Sequence, residues 1–191
     1  MASEVGICNR ALQKLGAKRI ISLTENSVNA RACNNAYTSV RDALLDDHDW
    51  IFAVKRAEIA EDATAPTWGK SHVYTLPADF IRLTNDYPED NFNSKDWEIE
   101  GSKIYTDDTS PIYIRYIARI TDPNTMTSLF REYFSTALAF ELCEEITQSN
   151  TKKSQLEKDM AAVESKAKKT NAFQRIGQEP PEDEWITVRD S

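Results

Sequence analysis

The chain has 191 residues, is 40% hydrophobic and 28% charged, and carries a formal net charge of −8, which suits one core with a modest satellite unit. No apolar run approaches the roughly 18 residues of a membrane span, and Met1-Ala-Ser-Glu-Val has neither the basic start nor the apolar run of a secretory signal, so neither membrane contact nor export is expected. The acidic balance disfavours a tight duplex-DNA reader, which needs clustered Lys and Arg facing phosphates. Cys8, Cys33 and Cys143 are an odd, widely spaced set with no Cys-x-x-Cys, which reads as reduced core thiols of a cytoplasmic compartment.

Ser3 reads as an N-cap, followed at helical spacing by Val5, Cys8, Leu12 and Leu15, with Gly16 placed to end a short first helix. The linker 17–24 carries Ile20, Ile21 and Leu23, enough apolar content to lie against a core. Ser27 or Asn26 caps a second helix with the stripe Ala30, Cys33, Tyr37, Val40 and Leu44 and a polar face of Arg31, Asn34, Asn35, Arg41 and Asp42. Its exit, Asp46-Asp47-His48-Asp49-Trp50, puts carboxylates at the negative end of a helix dipole, which costs ~0.3–1 kcal/mol per charge. Two readings follow: Asp46, His48 and Asp49 as ligands of a hard metal, or a solvated helix exit with Trp50 turned back into the core. The second is adopted, because no other His, Asp or Glu cluster has ligand spacing.

Alternation of Trp50, Phe52 and Val54 against Ile51, Ala53 and Lys55 predicts a strand starting directly at the helix end. Residues 61–70, with Pro66 and Gly69, read as a loop. The stretch Tyr74-Thr-Leu-Pro-Ala-Asp-Phe-Ile-Arg-Leu83 enters a proline-fixed corner as one extended run and leaves as another. Residues 85–96 read as an exposed loop rich in Asn, Asp, Glu and Pro. A hairpin follows, with arms at 97–100 and 103–106 about a Gly101-Ser102 turn. The strongest strand, 112–117, is apolar or amphipathic on both faces, which predicts a central position. A third helix after Asp122-Pro123 has a broad stripe of Leu129, Phe130, Tyr133, Phe134, Ala137, Leu138 and Leu142, wide enough for two neighbours. A fourth after Ser149 has a narrower one, Leu156, Met160, Val163 and Ala167, flanked by lysines.

The expected fold is therefore mainly α, of α+β type. A four-helix bundle (residues 1–49 and 122–176) carries a small antiparallel β domain (50–121) inserted between its second and third helices, with an extended C-terminal tail at 177–191.

Chemistry has little to stand on. There is no phosphate loop, nucleophile elbow or His-Glu-x-x-His, and there are only five glycines and two histidines. No catalytic residue, cofactor or metal site is expected. Charge is distributed with more purpose. Residues 85–110 hold eight acids (Asp86, Glu89, Asp90, Asp96, Glu98, Glu100, Asp107, Asp108) against Lys95 and Lys103, whereas 150–176 hold seven bases (Lys152, Lys153, Lys158, Lys166, Lys168, Lys169, Arg175) against Glu157, Asp159 and Glu164. Such a charge run is ordinarily a solvated face; opposite ends of opposite sign also suit head-to-tail packing. In the tail, Pro180-Pro181 and Glu182, Asp183 and Glu184 precede Trp185, Ile186 and Val188. This reads either as a disordered terminus or as a peg for another subunit.

The ordered set Asn9-Arg-Ala-Leu-Gln-Lys-Leu-Gly16 with a following Leu-Thr-Glu, residues 32–50 with Arg41-Asp-x-Leu and a terminal Trp50, Tyr74-x-Leu-Pro-x-Asp-Phe-Ile-Arg-Leu83, Trp97-Glu-Ile-Glu-Gly101 and Ile112-x-Ile-x-Tyr-Ile117 resembles the tail tubular protein A, or head-to-tail adaptor, family of short-tailed bacteriophages. The resemblance covers about residues 4–169. It implies a non-enzymatic ring of twelve copies between portal protein and tail nozzle protein, assembled in the host cytoplasm, with double-stranded DNA passing through without specific binding; the net charge and mostly solvated helices suit a chain that is monomeric before assembly. On that reading the portal contact falls to Lys166, Lys168, Lys169, Arg175, Trp185, Ile186 and Val188, and a subunit or nozzle contact to Arg82, Asp86, Glu89 and Asp90. The alternatives are a metal-dependent hydrolase using Asp46, His48 and Asp49, or a DNA-packaging accessory protein using the lysines of the fourth helix.

Overall fold

The computed structural model describes residues 2–84 and 97–174. Helix α1, Glu4–Leu15, begins where the Ser3 hydroxyl accepts the Gly6 amide, and ends at Gly16 in the left-handed region (φ 73°), whose N–H reaches back to the carbonyls of Gln13 and Leu12. Asn9 then pins the linker by a reciprocal pair of 2.8 Å hydrogen bonds with the backbone of Ile20. Ile20 is buried as expected, but Ile21 is 92% exposed, because consecutive residues of an extended segment point opposite ways.

Helix α2, Val28–Asp47, is capped by Ser27. Its expected stripe is buried or half-buried, and so is Arg41, which the sequence places on the polar face. Burial of that guanidinium is compensated by Asp42 at 2.8 Å, whose other oxygen accepts from Arg119 at 2.9 Å. After the helix the chain makes a 3-10 turn, Ile51–Ala53, and only then strand β1, Val54–Ile59. The strand expected from Trp50 onward therefore starts four residues later. Trp50 and Phe52 alternate like a strand but both face the helices: the Trp50 indole donates to the Leu44 carbonyl at 2.7 Å, and both rings meet Phe130 edge-on.

Strands β2 (His72–Thr75), β3 (Phe80–Leu83), β4 (Trp97–Glu100), β5 (Lys103–Thr106) and β6 (Ile112–Ala118) follow. The expected single β unit is two antiparallel three-stranded sheets, ordered β1-β6-β3 and β2-β5-β4. β6 is central in its sheet, as its two-faced sequence predicts. Ile112, Ile114, Tyr116 and Ala118 face a small core shared with Tyr74 and Ile104 of the other sheet, while Ile117 on the opposite face joins the helical core. The Pro77 corner is where the chain leaves one sheet, at β2, and enters the other, at β3.

Helix α3, Ser128–Thr147, is capped by Thr127, and α4, Asn150–Phe173, by Ser149. Residues 133–139 of α3 are buried without a break. At 100° per residue, seven consecutive buried positions take in every side of a helix. α3 packs on α1, α2 and α4, one neighbour more than its stripe suggested, so its breadth is used inside the chain. Arg10 and Lys14 of α1 clamp Glu132 of α3 at 3.0 and 2.7 Å. Among the described residues the chain is thus a mixed helix and sheet fold of four helices and two small sheets, and no described helix is long and apolar enough to cross a membrane. The three cysteines are free and buried.

Candidate functional site

A polar cluster lies where α2 ends. The last turn of α2 holds no basic residue of its own, and cations arrive from two other elements. Arg82 of β3 donates through Nε to the Asp46 carbonyl at 2.7 Å, covering one of the orphan acceptors of a helix end, and reaches the Asp49 carboxylate at 2.7 Å. Lys168 of α4 pairs with Asp47 at 2.8 Å and Glu164 at 2.6 Å. Burial works against its charge, but those two hydrogen bonds prevail and hold its pKa above the ordinary lysine value. Asn171, 5% exposed, completes the joint: it accepts from the Ile51 amide at 2.9 Å, donates to the Asp49 carbonyl at 2.8 Å and lies 3.1 Å from His48 Nε2. The carboxylates that looked costly at a helix exit are thus the seat of a joint between α2, β3 and α4.

Of the residues weighed as metal ligands, Asp46 and Asp49 serve Arg82, and His48 faces Asn171. Among the described residues no group of three or more His, Cys, Asp or Glu is gathered as a metal ion would require.

Asp79, at the Pro77 corner, has no base beside it in the sequence, and the fold supplies one: Lys55 of β1 lies 2.6 Å away, and the Tyr116 hydroxyl donates to the other carboxylate oxygen at 3.0 Å. The Lys55 hydrogen bond, with a smaller contribution from Tyr116, holds the Asp79 carboxyl below the usual range against the opposing effect of burial. β1 and β3 flank the same central strand, so residues 24 positions apart become neighbours. Tyr116 in turn is pushed up to about 12, chiefly by burial. Alternation along the strands carried no sign of this triad.

Two surfaces among the described residues bear on the expected contacts. On α4, Lys158, Lys166 and Lys169 are exposed and make no ion pair among the described residues, whereas Lys152 caps the end of α1 at the Leu15 carbonyl (2.6 Å) and Lys153 pairs with Glu144 at 2.9 Å. Phe173, at the end of this helix, is 88% exposed. Of the expected portal-contact residues, Lys166, Lys168 and Lys169 are therefore placed on one helix, while Arg175, Trp185, Ile186 and Val188 lie outside the described residues. Of the expected subunit or nozzle contacts, Arg82 sits in the joint, and Asp86, Glu89 and Asp90 lie outside the described residues.

The second surface is a cleft of about 330 Å³ between the loop 64–70 and the outer face of β2-β5-β4, lined among others by Trp68, Val73, Glu98, Glu100 and Tyr105. Sequence reasoning saw the acids of this hairpin but not the loop that folds over them. No protein-family model and no curated protein matches this sequence.

Proposed function

We propose that this chain is a structural head-to-tail adaptor of a short-tailed bacteriophage, forming a twelve-membered ring that docks on the portal protein, extends the DNA channel and offers a platform to the tail nozzle. The observation that carries this reading is the order of the architecture. Two helices, a β unit inserted between residues 50 and 121, and two further helices follow one another as the resemblance implies, with the four helices read as one bundle. The joint built by Arg82, Lys168 and Asn171 supports it too, since a ring subunit has to hold its insert in one orientation for neighbouring copies to match.

In this reading α4 and the residues after it grip the portal. Lys166 and Lys169, exposed and without an ion pair among the described residues, make the contact, Lys168 orients the helix end, and Arg175, Trp185, Ile186 and Val188 extend it. Arg82 holds the β unit in place, and Asp86, Glu89 and Asp90 face a neighbour or the nozzle. The acidic balance of the chain suits a channel wall that repels DNA phosphates.

Electron microscopy and mass photometry of the chain mixed with portal protein test the proposal. Rings on the portal are expected; monomers alone, at concentrations where portal is in excess, would overturn it. Removal of residues 178–191 is expected to abolish portal binding with an unchanged circular dichroism spectrum. Undiminished affinity would detach the tail from that role.

A further inference from the structure

The linker between α1 and α2 is braced like a designed peg. Its backbone is held at Ile20 by the Asn9 side chain, at Lys18 by Asn29 Nδ2 donating to the carbonyl at 2.8 Å, and at Ile21 by the Glu25 carboxylate accepting from the amide at 2.7 Å. These hydrogen bonds to the Ile21 and Ser22 amides, with that from the Ser27 hydroxyl, hold the Glu25 carboxyl below its ordinary range. On this rigid loop Lys18 and Arg19 are exposed with no ion pair among the described residues, and Ile21 is 92% exposed. A preordered apolar tip beside two exposed cations loses little entropy on docking.

The cleft over β2-β5-β4 has the complementary features. Glu98 and Glu100 alternate along β4, so both side chains rise from the same sheet face. Neither has an ion-pair partner among the described residues, because Lys103, the register partner of Glu100, turns instead to Asp62 at 2.9 Å. Val73 and Tyr105 line the cleft, and Trp68, 86% exposed, stands at its edge. A cleft of about 330 Å³, lined by Val73, Tyr105 and Trp68 beside the two carboxylates, has room for a branched aliphatic side chain together with the stem of an arginine, and an indole face accepts a guanidinium.

We propose that the loop 18–21 of one copy docks into the cleft of a second copy of this chain. Ile21 enters between Trp68 and the sheet, while Lys18 and Arg19 meet Glu98 and Glu100. The contact joins two different surfaces, so it is heterologous and propagates head to tail, the form of interface that closes into rings. The inference rests on the adaptor reading for the ring, and on charge and shape complementarity for the surfaces.

Zero-length carbodiimide cross-linking of an equimolar mixture of light- and heavy-nitrogen full-length chain, with and without portal protein, tests it. Mixed-isotope peptides joining Lys18 to Glu98 or Glu100 are expected, and their yield should fall roughly tenfold in Ile21→Asp, a substitution at an exposed position that leaves the fold intact. Reversing Glu98→Lys with Glu100→Lys should abolish the pairing, and adding Lys18→Glu with Arg19→Glu should restore it. Rings on portal whose mixed-isotope links join other faces would overturn the surface assignment and leave the adaptor reading standing. Lys18 links without rings on portal would do the reverse. No mixed-isotope link at these residues under any condition would overturn the inference.

Discussion

In the helical region one element, α3, is wrapped by three others and buried without a break over 133–139, whereas in the β region β4 is exposed at every residue and β6 gives the helical core one buried apolar side chain, Ile117, among the described residues. The difference teaches where stability and recognition are divided in this molecule. A helix enclosed on all sides has no surface left to offer, and its side chains interdigitate at crystal-like density. A three-stranded sheet covered on one face leaves its other face and its edge strand to solvent or to a partner. The cleft lies on that second kind of surface, with Glu98 and Glu100, which have no ion-pair partner among the described residues.

Truncation of the two cores is the strongest way to break this contrast. Phe134→Ala, in the enclosed helix, should cost about 3–5 kcal/mol, and Ile104→Ala, in the small core between the sheets, about 2–4 kcal/mol, both read from urea unfolding followed by circular dichroism. Equal losses would mean that the β core packs as tightly as the helical one. Both unfolding curves should stay single transitions, because β6 contributes to both cores through opposite faces; a separate early transition in Ile104→Ala would show that the β unit melts on its own.

A smaller effect is expected at the joint. Arg82→Ala strips the Asp46 carbonyl and the Asp49 carboxylate of a charged donor while leaving both cores whole, a loss of about 1–3 kcal/mol. If the joint orients the β unit, this variant should also show faster amide exchange in β3 than the wild type, with exchange in α3 unchanged. Uniform acceleration would mean that the joint carries global stability only.

The smallest effect is the response to acid. Glu132, held down first by the Arg10 hydrogen bond and then by that of Lys14 against burial, and Asp79, held down first by Lys55, both have folded values below their unfolded ones. Their contribution is fully present above the ordinary carboxylate range, about pH 4, and disappears as pH falls through the depressed values. Each pair is about a third exposed at the carboxylate, so each is worth under about 1 kcal/mol. Glu132→Gln and Asp79→Asn should each flatten the fall of melting temperature between about pH 5 and pH 2. Glu132→Gln acts through the helices and Asp79→Asn through the sheets, and an unchanged slope in either variant would remove that pair from the account.

How far the sequence could be read depended on the range of the interaction. Ser3, Ser27 and Ser149 were recognisable as helix starts because a cap bonds an amide three residues on, and Gly16 as a stop because only its own φ matters. The two-faced pattern of β6 announced a central strand. Trp50 and Phe52 misled, since a period of two over three residues fits a 3-10 turn aimed at Phe130 as well as a strand. Arg41 misled as well, because its burial depends on Asp42 being held by Arg119, far along the chain.

The candidate surfaces divide in the same way. The acids of β4 and the cations of 18–19 are visible in the sequence, but that Lys103 would leave Glu100 for Asp62, or that the loop 64–70 would roof the sheet, is not. Helix caps, turn glycines and strand periodicity were settled by the sequence itself, because each is decided within a turn of helix or a few residues of strand. The enclosure of α3, the split into two sheets at Pro77, the Lys55 to Asp79 pair and the Asn171 joint were decided only by tertiary structure. Their partners stand from 24 to more than 100 positions apart, and only the packing of a whole core brings such groups within hydrogen-bond reach.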